Sequence, residues 1–205
     1  MRGSERPAVF DDTQERDLMA RIAKGDGRAF EELYRIYAKA VGNFLFRMCY
    51  DTGMAEDCLQ DVFLRLWKAA PSWRGEGKVS TFIFQIAKNL GLDAREKAQR
   101  ARAHGFGGSG NEDGNAQLGG RAEEPASQEP GPAQRLAGEE LREAVRRAVE
   151  SLPVEQRLVV QLALTEELTY REVAEILQLP LGTVKSRMAA AAESLRKKLR
   201  VYVKE

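Results

Sequence analysis

The sequence is poor in the residues that build metal sites, disulfide scaffolds and catalytic triads. Its 205 residues include two cysteines, Cys49 and Cys58, and one histidine, His104. So few soft ligands disfavour a zinc site, and so few cysteines in a chain of this length disfavour a disulfide scaffold. A histidine-centred triad would have only His104, which lies in a glycine-rich stretch. We therefore expect no metal and no cofactor, and most classes of enzyme are disfavoured.

Long apolar runs are missing as well. No stretch approaches the roughly 18 consecutive apolar residues of a membrane span, and no signal peptide opens the chain. Hydrophobic residues make up 43% of the chain and charged residues 31%, which is the balance of a folded globular protein rather than a disordered one. We expect a cytoplasmic protein without a membrane span.

The formal net charge of +1 hides an uneven distribution of charge, glycine and proline. Residues 103–138 hold nine of the 18 glycines and three of the seven prolines, with five acidic and two basic side chains. Such a segment has too little apolar surface to offset the entropy of ordering it. We predict a flexible acidic linker over 103–138, between a domain at 15–102 and a domain at 139–205, with residues 1–14 as an N-terminal tail.

The remaining sequence has the periodicity of helices and no alternating strand pattern, so the predicted fold is all-α, with two small helical domains. In the first domain, Asp26 is predicted to cap a long helix, Pro71 to end the next helix and Ser80 to cap the one after that. The predicted buried faces carry Phe30, Leu33, Tyr34, Tyr37, Val41, Phe44, Leu45 and Met48 on the long helix, Ala55, Cys58, Leu59, Val62, Leu66 and Ala70 on the next, and Ile83, Ile86, Ala87, Leu90 and Ala94 on the third.

The second domain ends in a pattern of short helix, tight turn and long helix. Thr169 and Glu172 have the spacing of a capping box, which opens the short helix. The segment LQLPLG then breaks the helix, and Thr183 begins a longer one. This order is typical of a helix-turn-helix, in which the start of the second helix meets base edges and phosphates in the major groove. The alternative is an amphipathic helical hairpin with a solvated basic face.

Two segments resemble regions 2 and 4 of the sigma factors of bacterial RNA polymerase. The region 2 segment reads AEDCLQDVFLRLWKAAPSWRGEGKVSTFIFQIAKNLGLDAREKAQR, and the region 4 segment reads LPVEQRLVVQLALTEELTYREVAEILQLPLGTVKSRM. The sequence has no segment that corresponds to regions 1.1 and 3, so it is similar to the compact extracytoplasmic-function (ECF) group. The resemblance covers residues 15–102 and 139–200. It implies a protein that is not itself an enzyme and that brings core RNA polymerase to promoter DNA.

The resemblance also implies contacts with two parts of core polymerase, the β′ clamp helices and the β flap, and with an anti-sigma factor. Region 2.2 of the family binds the clamp helices with acidic and amide side chains. The matching side chains here form a polar stripe with one leucine at helical spacing. Without the resemblance, an ordinary solvated helix face is the simpler interpretation. The implied polymerase-binding residues are Asp57, Gln60, Asp61, Leu64 and Lys68.

The loop at 72–78 and the helix that follows it resemble regions 2.3 and 2.4, which open the minus-ten promoter element and hold a flipped base. A base taken out of the stack needs aromatic walls, polar groups for its edge and cations for the phosphates. The alternative for the aromatic residues is a core position, which we predict for Trp67. The implied minus-ten residues are the walls Trp73, Phe82 and Phe84, the readers Gln85 and Asn89, and the phosphate-pairing cations Lys78, Lys88 and Arg95, with Arg74 and Ser80 beside them.

The recognition helix of region 4 reads the minus-thirty-five element in the family. This sequence departs from the family where arginine is usual within the run at 189–192, because all four residues are alanine. It also departs at Gln85, where a basic residue is frequent, and Gly91 costs its helix roughly 1 kcal/mol relative to alanine. The residues implied to contact the minus-thirty-five element are Thr183, Lys185, Ser186 and Arg187, with Arg171 on the preceding helix.

Two other classes of function remain open on the residues alone. An autonomous helix-turn-helix regulator would bind duplex DNA without polymerase, but it has no need of the region 2 segment. A helical adaptor without a DNA role predicts no salt-dependent binding to DNA. A redox role for Cys49 and Cys58 is disfavoured, because both lie on apolar helix faces and free cysteines are commonly buried.

Overall fold

A computed structural model of the chain describes residues 12–103, 132–166 and 168–202. Across these three ranges every regular element is helical and there is no strand, so the predicted all-α fold is confirmed. The chain divides into two compact units, and each unit contains four of the described α-helices. The prediction of two helical domains is therefore also confirmed.

The first unit is a bundle of four helices. Both Asp26 and Asp51 act as N-caps: Asp26 accepts hydrogen bonds from the backbone N–H groups of Arg28 and Ala29, as predicted, and Asp51 accepts one from Met54. A short 3₁₀ turn at Ala70–Ser72 follows the third helix and carries Pro71 near its start. The helices are α1 (Asp12–Ile22), α2 (Gly27–Cys49), α3 (Thr52–Ala69) and α4 (Val79–Ala103).

The start of α4 differs from the prediction. The helix begins at Val79, so Ser80 lies inside its first turn and the prediction that Ser80 caps the helix is wrong. The carbonyl of Lys78 accepts the first helical hydrogen bond, from the backbone N–H of Phe82, at 3.2 Å. Val79 is completely buried in the core, and its burial holds the chain against the bundle at this point. The helix therefore starts at Val79, one residue before the predicted cap.

The core of the first unit forms where α2, α3 and α4 meet. Phe44 of α2 and Phe84 of α4 pack edge to face, with ring centroids 5.5 Å apart. Fully buried aliphatic side chains come from all three helices, and their burial removes a large apolar surface from water, which stabilises the bundle. These side chains include Leu33, Val41, Leu45, Val62, Leu66 and Ile83. Tyr34, which was predicted on the buried face of α2, is instead 41% exposed.

Gly91 gives α4 room to pack against α2. A Cβ at this position would lie 2.9 Å from Cε and 3.0 Å from Sδ of Met48, and 3.3 Å from Cδ2 of Leu45. Met48 is itself buried. The glycine that weakens the helix by its propensity thus leaves the space that the side chain of Met48 occupies between the two helices.

The second unit contains α5 (Pro132–Glu150), α6 (Val154–Val160), a π-helical turn (Gln161–Thr165), α7 (Tyr170–Leu177) and α8 (Leu181–Leu199). Leu152, Val160 and Ala191 form a buried cluster, against which Met188 and Leu195 of α8 pack. The buried Arg157 donates a hydrogen bond to the carbonyl of Glu150 at 2.8 Å, which satisfies an open acceptor at the end of α5.

Helices extend into two segments that were predicted to be irregular. Residues 12–14 of the predicted tail belong to α1, and residues 132–138 of the predicted linker belong to α5. Pro132 suits a first helical turn because its fixed φ is helical and its missing N–H is not needed there. The residues after it include alanine, glutamine, arginine and leucine, which are good helix formers. Residues 104–131 of the predicted linker lie outside the described residues.

Candidate nucleic-acid and partner interfaces

The predicted polymerase-binding side chains lie together on the surface of α3. Ala55, Cys58, Val62 and Leu66 of this helix are buried, so the three- and four-residue spacing of the stripe leaves it on the other side. Leu64 is 55% exposed, so the stripe presents one apolar side chain to solvent among its polar side chains. The exposed stripe consists of Asp57, Gln60, Asp61, Leu64 and Lys68, and we refer to it as the α3 stripe.

The loop that joins the 3₁₀ turn to α4 depends on two glycines. Gly75 and Gly77 have φ values of +75° and +79°, a region that side-chain-bearing residues rarely adopt. The guanidinium of Arg16, on α1, donates hydrogen bonds to both of their carbonyls. No pattern in the sequence pointed to this contact, because Arg16 and the loop are about 60 residues apart in the chain.

Two of the three predicted aromatic walls come together beside this loop. Trp73 and Phe82 are both half-buried, and their ring centroids lie 6.4 Å apart with the planes 35° from parallel. Arg74 and Lys78 are exposed in the same loop, and Ser80 is half-buried in the first turn of α4. The structure therefore places an aromatic pair and two cations at the start of α4.

The third predicted wall is a core residue. Phe84 is 3% exposed and packs on Phe44, so the prediction that it contacts a flipped base is wrong. The physical reason is helical geometry: two residues along a helix turn a side chain by about 200°, so Phe82 and Phe84 lie on nearly opposite sides of α4.

The polar residues of α4 divide into two groups. Gln85 and Asn89 follow Phe82 at steps of three and four residues, so all three lie on one side of the helix, with Asn89 exposed and Gln85 half-buried. Lys88 lies four residues after Phe84 and shares its burial: it is 8% exposed, and burial lowers the pKa of its ammonium group. The prediction that Lys88 is displayed for a phosphate contact is therefore wrong.

Arg95 lies near the end of α2 rather than beside the aromatic pair. Its charge acts on the Cys49 thiol and lowers the pKa of that group, but burial and the neighbouring Cys58 outweigh it and raise the pKa to about 12. Burial also raises the pKa of the Cys58 thiol. Both thiols are therefore protonated at neutral pH, which disfavours nucleophilic chemistry at either cysteine.

The helix-turn-helix pattern of the second unit has the predicted capping box. The hydroxyl of Thr169 accepts a hydrogen bond from the backbone N–H of Glu172, whose carboxylate accepts one from the backbone N–H of Thr169. Gln178 ends α7 with a φ of +57°, and the N–H of Leu179 donates to the carbonyl of Ala174. The turn between the two helices is therefore a tight left-handed cap.

The second helix of the motif begins earlier than predicted. It starts at Leu181, two residues before Thr183, because Pro180 precedes it with its φ fixed near the helical value. Lys185 and Ser186 are exposed near this end, and Arg187 is half-buried. The Ser186 hydroxyl donates to the carbonyl of Thr183 at 3.0 Å. Together with the exposed Arg171 of α7, these side chains form a polar, basic surface that we call the α8 surface.

Part of the alanine run in α8 has a structural explanation. Ala191 is fully buried in the cluster with Leu152 and Val160, where an arginine would not fit. The other alanines of the run, at 189, 190 and 192, are not buried. Nothing in the structure explains the absence of arginine at those positions.

The basic residues at the end of α8 interact within the second unit. Lys197 forms an ion pair with Glu193 at 2.8 Å, and this contact lowers the pKa of the Glu193 carboxyl group. Lys198 donates a hydrogen bond to the hydroxyl of Ser151. These contacts favour a structural role for both lysines over a contact with DNA phosphates.

In the part of the chain that the structure describes, no group of three or more His, Cys, Asp or Glu side chains is placed to hold a metal ion. The described helices also include none with the length and apolar character needed to span a membrane.

Comparison with known proteins identifies both units. Residues 33–101 match Sigma-70 region 2, and residues 142–195 match Sigma-70 region 4. The chain is 31% identical to the ECF RNA polymerase sigma-E factor of Escherichia coli (strain K12) over 187 residues, which cover 91% of this chain and 95% of that protein. It is 28% identical to the RNA polymerase sigma-H factor of Pseudomonas aeruginosa over 195 residues, or 94% of this chain and 98% of that protein.

Solved structures share the fold. CnrH in complex with the cytosolic domain of CnrY superposes with a TM-score of 0.65 at 20% identity, covering 92% of this chain and 98% of CnrH. The sigma factor RpoE in complex with the anti-sigma factor NepR, from Bartonella quintana, superposes with a TM-score of 0.60 at 20% identity, covering 84% of this chain and 97% of RpoE.

A region 2 helical bundle followed by a region 4 helix-turn-helix defines the class of RNA polymerase sigma factors. Within that class, the chain belongs to the ECF family of sigma factors. Sigma factors direct RNA polymerase to promoters, and theirs is not a family of catalytic enzymes.

Proposed function

We propose that this chain binds core RNA polymerase through the α3 stripe and opens promoter DNA with the loop at 73–78 and the start of α4. The observation that carries the proposal is the aromatic pair of Trp73 and Phe82, which is partly exposed. Two cations lie in the same loop as Trp73, and two amide side chains lie on the same side of α4 as Phe82. A flipped base needs this combination of aromatic surface, polar groups and positive charge.

The partner of the α3 stripe is the pair of β′ clamp helices of core polymerase. The exposed carboxylates and amide of the stripe suit a polar partner helix. The side chain of Leu64, which is 55% exposed in the free protein, adds an apolar contact that binding removes from water. The second unit contacts the β flap of the polymerase, as the family pattern implies.

The DNA contacts divide between the two units. In the first unit, Trp73 and Phe82 bind the flipped base of the minus-ten element, Gln85 and Asn89 read its edge, and Arg74 and Lys78 pair with phosphates. In the second unit, the α8 surface contacts the minus-thirty-five element through base edges and phosphates in the major groove. Its contacting residues are Arg171, Thr183, Lys185, Ser186 and Arg187.

Three further properties belong to the same proposal. The chain has no catalytic activity of its own, and nucleotide addition takes place in the polymerase. It acts in the cytoplasm, where it meets the polymerase and DNA. An anti-sigma factor holds it inactive by covering these surfaces. The superposition on a sigma factor that was solved with its anti-sigma factor supports the last point by similarity of fold.

In vitro transcription tests the proposal. Purified core RNA polymerase is incubated with fragmented genomic DNA, with the wild-type chain, with an Asp61→Arg variant or with no addition. We expect discrete new transcripts with the wild-type chain only, whose aligned start sites reveal both promoter elements. Binding of the chain alone to duplex DNA, without new transcripts, would instead indicate an autonomous helix-turn-helix regulator.

A further inference from the structure

Arg16 joins α1 to the loop at 73–78 through two nitrogen atoms of its guanidinium group, while the third binds a carboxylate of α1 itself. Nη1 donates to the carbonyl of Gly75 at 2.9 Å, and Nη2 donates to the carbonyl of Gly77 at 3.0 Å. Nε donates to the carboxylate of Asp12 at 3.2 Å, one turn earlier on α1. The carboxylate orients the guanidinium plane, so that the two terminal nitrogens face the loop.

Arg16 contacts the part of the loop that has the most conformational freedom in the unbound chain. Gly75 and Gly77 both have positive φ values, and glycine gives a chain more alternative conformations than any other residue. A planar fork that binds both carbonyls selects one arrangement of the three residues between and including them. Since Arg16 lies on a helix whose Leu18 and Met19 are buried, its own backbone is fixed by the core.

The loop that Arg16 holds carries the side chains proposed to contact the minus-ten element. Trp73 lies two residues before Gly75, and Lys78 directly follows Gly77. We propose that Arg16 is a positioning residue, which holds the loop so that Trp73 packs beside Phe82 before DNA arrives. This inference rests on the proposed function of the loop in promoter opening. Preorganisation of this kind lowers the entropic cost of binding, because the loop does not have to be ordered by the DNA.

A direct contact between Arg16 and a phosphate is the competing explanation, because the side chain is 44% exposed and positively charged. The two explanations predict different results when lysine replaces Arg16. Lysine keeps the charge but has one nitrogen, so it cannot bridge two carbonyls and a carboxylate in one plane. Arg16→Lys therefore keeps a phosphate contact but loses the hydrogen bonds that join Arg16 to both glycine carbonyls and to Asp12.

The first experiment measures the loop in the free protein. In a Trp67→Phe background, Trp73 is the single tryptophan, and its quenching by acrylamide reports how well the loop shields it. We expect quenching to increase in both Arg16→Ala and Arg16→Lys, with helicity by circular dichroism unchanged. The matched control is Arg35→Ala, an exposed arginine of α2 that pairs with Glu31 at 3.7 Å. Unchanged quenching in Arg16→Ala would overturn the inference.

The second experiment measures promoter opening by the holoenzyme. On a promoter mapped with the wild-type chain, we expect Arg16→Ala and Arg16→Lys to slow opening by about fivefold to tenfold, as removal of the hydrogen bonds predicts. Binding to core polymerase should not change, and Arg35→Ala should behave as wild type. Opening is followed by permanganate reactivity of unpaired thymines.

The outcomes separate this inference from the proposed function. If Arg16→Lys opens the promoter as fast as the wild-type chain, Arg16 acts through its charge and the positioning role is wrong. If the wild-type chain yields no transcripts, the proposed function fails and the role of Arg16 in promoter opening fails with it. The quenching experiment would still decide whether Arg16 orders the loop.

Discussion

Trp73 in the loop and Phe82 on α4 pack with ring centroids 6.4 Å apart and with planes 35° from parallel. Both side chains are only half-buried, so this pair presents aromatic surface to solvent beside the amides of Gln85 and Asn89. Trp67, the other tryptophan, is also half-buried, but it packs edge to face on Phe30, with ring centroids 5.3 Å apart. The two tryptophans, six residues apart in the chain, therefore pack on different aromatic partners.

Replacement of Trp73 tests the aromatic pair. We expect Trp73→Ala to slow promoter opening by about tenfold, because stacking of a base on an aromatic side chain contributes roughly 1–3 kcal/mol. Trp73→Phe should retain most of the activity. Permanganate footprinting of the holoenzyme on a mapped promoter measures the effect, with Trp67→Phe as the control. Equal opening by Trp73→Ala and wild type would remove Trp73 from the DNA interface.

Charge reversal tests the α3 stripe. Asp61→Arg should abolish binding to core polymerase, because it places a cation in an acidic stripe that faces the partner, and helicity should not change because Asp61 is exposed. Co-purification with core enzyme measures the binding. Asp17→Arg is the control, because Asp17 is an exposed acidic residue of α1, outside the stripe. Normal co-purification of Asp61→Arg would contradict the proposed interface.

Two substitutions test the α8 surface. We expect Arg187→Ala and Lys185→Ala each to weaken promoter binding by the holoenzyme. If Arg187 reads a base, its removal should cost about 1–3 kcal/mol and relax the preference at one promoter position, whereas removal of a phosphate-binding group should weaken all sequences alike. Affinities for promoters that differ at single positions distinguish these cases. Lys197→Ala is the control, since Lys197 is paired with Glu193. If neither substitution has an effect, DNA docks elsewhere.

A pair of glycine substitutions tests the packing of the first unit. Gly91→Ala should lower the free energy of unfolding by about 1 kcal/mol or more, because the added Cβ overlaps Met48 and overpacking outweighs the better helix propensity. Gly42→Ala in α2 should raise it by up to about 1 kcal/mol, because there the nearest atom, Cδ2 of Leu59, is 3.6 Å away. Urea unfolding measures both. Stabilisation by Gly91→Ala would show that Met48 moves aside without cost.

Much of the fold and of the candidate site could be predicted from the sequence, because it depends on local rules. The caps at Asp26 and at Thr169 with Glu172 each involve atoms within three residues of one another, so their spacing alone predicts them. The α3 stripe likewise follows from helical periodicity, which places side chains three and four residues apart on one face. The resemblance to sigma regions 2 and 4 could be recognised for the same reason, from contiguous segments of the chain.

The sequence by itself thus determined the helical fold, the helix starts at Asp26 and Thr169 and the family, through interactions between residues close together in the chain. Only the tertiary structure decided how wide the buried face of α4 is, because Phe84 and Lys88 are buried together with the predicted core residues, whereas Phe82 lies beside Trp73. It alone joined Arg16 to the glycine carbonyls of a loop about 60 residues away. These contacts depend on the packing of whole helices against each other, and a local sequence pattern does not show which residues far apart in the chain will be in contact.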